Sequence, residues 1–133
     1  GAGGVFKQVL IDSGIGQVMA DSLGGLGLSP LWLAFVIACV VRVAQGSATV
    51  AMMTTAGFMA PILNAFPDVD KAWVTIAIAA GATIASHVND SGFWLVKQYL
   101  GMDEKTTLKT WTVMETLVAV VGFIFVLIFS TFI

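Results

Sequence analysis

Long uncharged runs constrain this chain more than any other feature of its sequence. Residues 22–41, 43–67 and 116–133 contain no Asp, Glu, Lys or Arg, and about 18 apolar residues suggest a membrane span. The composition agrees, because 58% of the residues are hydrophobic and 11% are charged, against roughly 45–50% and about 25% in globular domains. We therefore predict an all-α, polytopic integral membrane protein.

Charge and cysteine content exclude several classes of function. The six basic residues form no stripe and the net charge is −2, so nucleic acid is not expected as a partner. Cys39 is the single cysteine and cannot form a disulfide or a thiolate metal site alone. His87 and Asp90 are too few ligands for a transition metal, and the chain has no nucleophile elbow. We expect no metal, no cofactor and no enzymatic activity.

A polar stretch interrupts the apolar chain between residues 80 and 99. A charged side chain near a bilayer centre costs roughly 2.5–3.5 kcal/mol and usually faces a cavity or pathway. Residues 72–85 are too short a run to cross the membrane alone. We therefore predict a helix, a polar break and a second helix ending near Tyr99, with the presumptive site at the break: Ser86, His87, Asn89, Asp90 and Ser91.

A second interruption follows the helix that we expect to start at Pro30. Polar residues arrive together between residues 42 and 49, which predicts two half-helices separated at residues 46–48. Discontinuous helices of this kind hold binding sites in secondary transporters. The alternative is one continuous helix in which Ser47, Thr49, Thr54 and Thr55 bond back to carbonyls and pack against neighbouring helices.

The sequence of the remaining segments predicts two loops and one further span, and it leaves two interpretations of the N-terminal segment. Residues 1–4 are a glycine-rich turn, followed by a mixed polar and apolar stretch. This stretch is either an interfacial helix or the descending arm of a re-entrant hairpin whose tip is the turn. Residues 64–71 and 101–109 predict extramembrane loops, and residues 110–133 predict the clearest span, with Glu115 near the interface. The chain opens without Met or a signal peptide, so we interpret it as a piece of a longer polypeptide.

Three blocks of sequence carry a resemblance to a known family. GAGGVFKQVLIDSGIG, RVAQGSATVAMMTTAGFMAP and GATIASHVNDSGFWLVKQYLGMDEKTTLKTWTVMETL together resemble the C-terminal part of the gluconate permease family, bacterial inner-membrane symporters for sugar acids. The resemblance implies that residues 1–133 are the C-terminal portion of a single transmembrane transporter domain. It also implies proton-driven uptake of gluconate or a similar acid, with a hairpin tip at residues 1–4, an unwound helix centre at 45–49 and a second break at 86–91.

The residue types in these segments suit a sugar acid, which has one carboxylate and several hydroxyls. The half-helix starting near Ser47 offers a positive end for the carboxylate. Arg42 is either a direct counter-ion or a structural partner of Asp90. Asp90 is the first candidate for proton coupling and His87 the second. Burial raises the pKa of a carboxylate and lowers that of a histidine, so both kinds of side chain can titrate in the physiological pH range. The predicted substrate-binding residues are Gly3, Gly4, Arg42, Gln45, Ser47, Thr49, Asn89 and Ser91.

Other substrates and one other class of function stay open at this stage. A permease of the same family for D-serine or another small hydroxylated acid would carry the same residues. A channel or structural membrane subunit could use the same broken helices. The expected partners are a small sugar acid, protons and the lipid bilayer, and a homo-oligomer is an open alternative.

Overall fold

The computed structural model describes residues 5, 8–9, 12–14, 18, 29–64 and 66–132. From residue 29 onward its regular elements are all helices, so the predicted all-α class is confirmed for this part of the chain. Four of them are α1, Pro30–Gln45, α2, Ala48–Asn64, α3, Lys71–Thr83, and α4, Ser91–Tyr99. The last, α5, runs over Glu104–Phe129 and contains a π-helical turn at Leu108–Thr112.

Local sequence explains where these helices begin. Pro30 occupies the first turn of α1, where its missing N–H costs nothing. Asp70 caps α3 by accepting from the Ala72 N–H at 2.7 Å, and Asp103 caps α5 by accepting from the Thr106 N–H at 2.7 Å. The Thr106 hydrogen bonds lower the pKa of Asp103. Since α5 begins directly after this cap, the prediction of a loop at residues 101–109 is wrong from residue 104 onward.

The first two helices fold back on each other as a hairpin. Pro30 at the start of α1 and Trp73 near the start of α3 line the same cavity. Gly81 near the end of α3 lies against Ala38, so α1 and α3 run in parallel. Asn64 at the end of α2 and Lys71 at the start of α3 line another cavity, so α2 runs antiparallel to both. The chain reverses direction at its tip, Gly46 and Ser47.

The tip reverses the chain in two residues because each residue completes a helix end. Gly46 has a φ of +78°, which glycine adopts readily, and its N–H donates to the Arg42 carbonyl at 2.8 Å to close α1. The Ser47 hydroxyl accepts from the Val50 N–H at 3.3 Å at the start of α2. The predicted break at residues 46–48 is confirmed, but it is a hairpin tip and not a gap within one helix.

The third and fourth helices form the second interrupted segment. Helix α3 ends at Thr83 and α4 begins at Ser91, with Asp90 as the N-cap that accepts from the Gly92 N–H at 3.0 Å. Ala85 in the break has a φ of +50°, which is uncommon for a residue with a side chain. The predicted polar break between two helices is therefore confirmed.

The apolar core lies between the hairpin, α3 and the C-terminal half of α5. Its buried members are Leu33, Ala34, Ile37, Ala38, Phe58, Met59, Ile62, Val74, Ala77, Ile78, Phe123 and Val126. Phe123 of α5 stacks on Phe35 with ring centroids 4.0 Å apart and meets Trp32 edge-on at 4.8 Å. This packing fixes α5 against α1 and leaves the hairpin tip and the helix break together beyond the core.

The lengths of the helices can be compared with the thickness of a lipid bilayer. Within the described residues, α5 is the one helix long and apolar enough to cross a membrane. Helices α1 and α2 have 16 and 17 residues, or about 24–26 Å at 1.5 Å per residue, short of the ~30 Å hydrocarbon core. The hairpin tip predicted at residues 1–4 lies outside the described residues.

Candidate functional site

The hairpin tip and the helix break are in direct contact. A Cβ atom on Gly46 would overlap the backbone carbonyl of Asn89, and the Asn89 side-chain amide donates to the Val43 carbonyl at 2.8 Å. Glycine is therefore required at position 46 both for its backbone conformation and for this approach. The contact brings the polar residues of the two interruptions into one cluster.

A buried ion pair lies at the centre of this contact. Arg42 is 3% exposed, and its Nη2 lies 2.6 Å from Oδ2 of Asp90, whose side chain is 14% exposed. Arg42 Nη1 donates to the Gly46 carbonyl, while Nε is buried without a partner among the described residues. A buried arginine needs such a partner, because an uncompensated buried charge costs several kcal/mol. Of the two predicted arrangements for Arg42, the structure contains the pairing with Asp90.

Helix α5 reaches the ion pair through Ser86. The Ser86 hydroxyl, which is buried, donates to Asp90 Oδ2 at 2.5 Å and accepts from the Trp111 indole N–H at 2.8 Å. The Thr112 hydroxyl donates to the Ser86 carbonyl. One polar network therefore joins the hairpin, the broken helix and α5.

A second carboxylate lies near this network. Glu115 is half-buried on α5, and the charges of both Arg42 and Asp90 act on it. The position of Glu115 near the membrane interface stays a prediction, and the structure places this residue within electrostatic range of the ion pair.

The other predicted site residues differ in their exposure and in their hydrogen bonds. Gln45, Thr49 and Ser91 are exposed, and no side-chain hydrogen bond is formed by them within the described ranges. Ser47 is half-buried at the tip. The ring Nδ1 of His87 lies 2.7 Å from the Ala85 carbonyl, a local contact within the break. The two remaining predicted residues, Gly3 and Gly4, lie outside the described residues.

Sequence reasoning missed Trp111 and Thr112 as members of the network. Ser86 was visible as part of the polar stretch, but a Trp and a Thr near the start of a long apolar helix carry no pattern of their own. The π-helical turn that contains them has no sequence signature, although such turns are frequent at functional sites. Thr54 and Thr55 do not bond back to carbonyls as the continuous-helix alternative predicts, since their buried hydroxyls have no partner in the part of the chain described.

Fold and site together define a class of protein. A hairpin tip and an interrupted helix that meet around a buried charged pair are typical of secondary transporters with discontinuous helices. The chain belongs to the GntP permease family: the sequence model described as "GntP family permease" matches residues 1–132. The resemblance to gluconate permeases and the polytopic membrane class are thereby confirmed.

Individual relatives agree with the family assignment. The chain is 49% identical to a gluconate permease of Pseudomonas aeruginosa over 98% of its own length and 29% of the relative's. It is 49% identical to a gluconate permease of Bacillus licheniformis over 100% of its length and 30% of the relative's. It is 50% identical to the Gnt-II system L-idonate transporter of Escherichia coli over 94% of its length and 28% of the relative's.

The chain matches only part of each relative. The chain spans about 30% of the length of these relatives. The relatives are named as permeases or transporters, which confirms the prediction that the chain is not an enzyme. No solved structure matches the chain.

Proposed function

We propose that the full-length protein carrying this chain transports gluconate or a similar sugar acid across the bacterial inner membrane in symport with protons. Residues 1–133 supply the C-terminal portion of its single transporter domain. The names of the relatives support the substrate class. The observation that carries the mechanism is the buried Arg42–Asp90 pair at the contact between hairpin tip and helix break.

Arg42 binds the carboxylate of the substrate. Its Nε and Nη2 lie on one edge of the planar guanidinium, a fork that matches the two oxygens of a carboxylate. Arg42 Nη2 donates to Asp90, while Nε has no partner in the described part. Asp90 therefore occupies only one of the two donors on this edge. A substrate carboxylate fills both positions and replaces Asp90.

Displacement of Asp90 couples the substrate to a proton. Once its counter-ion is bound by the substrate, Asp90 is a largely buried carboxylate without a compensating charge, which is costly. A proton neutralises it, so substrate and proton are bound together. His87, half-buried in the same break, is the second proton carrier in this proposal.

The remaining predicted residues bind substrate hydroxyls. Gln45, Thr49 and Ser91 are exposed near the tip and the break, and amide and hydroxyl groups both donate and accept hydrogen bonds. Ser47 and Asn89 lie at the tip–break contact itself. Gly3 and Gly4 would approach the ligand with their backbone, as glycine permits.

Uptake by the full-length protein in proteoliposomes tests this function. Labelled gluconate is offered with and without an inward proton gradient, and with unlabelled D-serine as competitor. Accumulation that requires the gradient and is insensitive to D-serine is the expected result. Accumulation blocked by D-serine would replace the substrate, and downhill entry alone would indicate a channel and contradict the proposal.

A further inference from the structure

Ser86 controls the orientation of the Asp90 carboxylate. Its hydroxyl donates to Oδ2, the same oxygen that contacts Arg42 Nη2. The other oxygen, Oδ1, accepts from the Gly92 N–H and is fixed as the cap of α4. Both carboxylate oxygens are thus held, and Oδ2 is directed at Arg42.

Trp111 fixes the direction of the Ser86 hydroxyl. The indole N–H can only donate, and it donates to the Ser86 oxygen. The hydroxyl has one proton, which is therefore directed to Asp90. Hydrogen bonds in such a chain strengthen one another at low dielectric constant, so loss of the indole N–H weakens the contact between Ser86 and Asp90.

The π-helical turn of α5 makes this arrangement possible. Trp111 and Thr112 are adjacent in sequence, yet one contacts the Ser86 side chain and the other its carbonyl. Both lie in the turn Leu108–Thr112. Helix α5 thereby holds Ser86 at two atoms, and among the described residues this turn forms no hydrogen bond with Arg42 or Asp90.

From this geometry we propose that Ser86, Trp111 and Thr112 are positioning residues that hold Asp90 on Arg42 and set how readily a substrate carboxylate displaces it. The inference rests on the proposed function, because it concerns competition for Arg42. Weakening the network lets the substrate compete more effectively, so its affinity rises. The same change leaves Asp90 less well placed to return to Arg42, so the maximal rate of coupled uptake falls.

The test compares gluconate affinity and uptake rate in variants of the full-length protein. Trp111→Phe removes the indole N–H and retains an aromatic ring, and Thr112→Val removes the second contact independently. Trp94→Phe is the matched control, since its indole donates to the Val88 carbonyl at 2.8 Å in the same break and not to Ser86 or Asp90. Equilibrium binding gives the Kd, and proteoliposomes give the maximal uptake rate.

We expect Ser86→Ala to lower the gluconate Kd by about three- to tenfold, the effect of the one hydrogen bond that it removes from Asp90, and to lower the maximal uptake rate. Trp111→Phe only weakens that hydrogen bond, so it should lower both quantities by a smaller factor. Thr112→Val changes both in the same directions and Trp94→Phe changes neither. A merely structural role would weaken binding, so the sign of the Kd change separates the two explanations. The double variant Ser86→Ala/Trp111→Phe should match Ser86→Ala alone, because Trp111 acts through Ser86.

Two results would overturn the inference. If the wild-type protein binds gluconate but Trp111→Phe leaves the Kd unchanged or raises it, the positioning role is wrong while the proposed function stands. If the wild-type protein binds neither gluconate nor a similar sugar acid, the proposed function fails and the inference fails with it.

Discussion

Replacing Gly46 by alanine tests the contact between hairpin tip and helix break. Two separate costs arise at this position. The left-handed φ of +78° costs a residue with a side chain about 1–2 kcal/mol. The added Cβ also overlaps the Asn89 backbone, so that residue must move and lose its hydrogen bond to Val43, a further ~1 kcal/mol.

Gly101 offers a control that carries only the first of these costs. Its φ is +62°, and nothing lies within 4 Å of a Cβ placed there. Gly101→Ala should therefore destabilise the protein by about 1–2 kcal/mol without affecting transport. Gly46→Ala should cost at least about 2–3 kcal/mol, and it should also disturb the ion pair, since Arg42 donates to the Gly46 carbonyl.

The assay is thermal unfolding of the purified full-length protein, together with gluconate uptake in proteoliposomes. We expect Gly46→Ala to unfold at a lower temperature than Gly101→Ala and to lose most of its uptake. If the two variants unfold at the same temperature and both transport normally, the tip does not meet the break as described. The account of the site would then be wrong.

Two further predictions follow from the same geometry. Asp90→Asn leaves the Arg42 cation without its charged partner, so gluconate should bind at least about tenfold more tightly while proton-driven accumulation is lost. Equilibrium binding and proteoliposome uptake measure the two effects, and normal accumulation would refute the coupling role. At Gly81 an added Cβ would lie 2.5 Å from the Phe35 carbonyl, so Gly81→Ala should lower stability by ~1–3 kcal/mol. Gly122→Ala, whose nearest contact is 3.8 Å away, should unfold nearly as the wild type does.

The positions of both interruptions could be predicted because polar residues inside apolar runs are conspicuous. The direction of the chain after the first interruption could not be predicted from the sequence. Gly46 and Ser47 close one helix and start the next in either arrangement, and only the packing of α1 and α2 on α3 decides that the chain reverses. A local pattern contains no information on that packing.

The central pair illustrates a second limit of sequence reasoning. Arg42 and Asp90 are 48 positions apart, and the sequence leaves their pairing as one of two alternatives. The exposed positions Gln45, Thr49 and Ser91 were selected for their chemistry, and they remain predictions. The contribution of Trp111 depends on a π-helical turn, which neither hydrophobic periodicity nor helix propensity reveals.

A structure of the full-length protein with gluconate bound, determined by electron cryo-microscopy, tests the central claim most directly. The account predicts the gluconate carboxylate within hydrogen-bond distance of Arg42 Nε and Nη2, with the Asp90 carboxylate displaced from the guanidinium. An intact Arg42–Asp90 pair with gluconate bound elsewhere would contradict it.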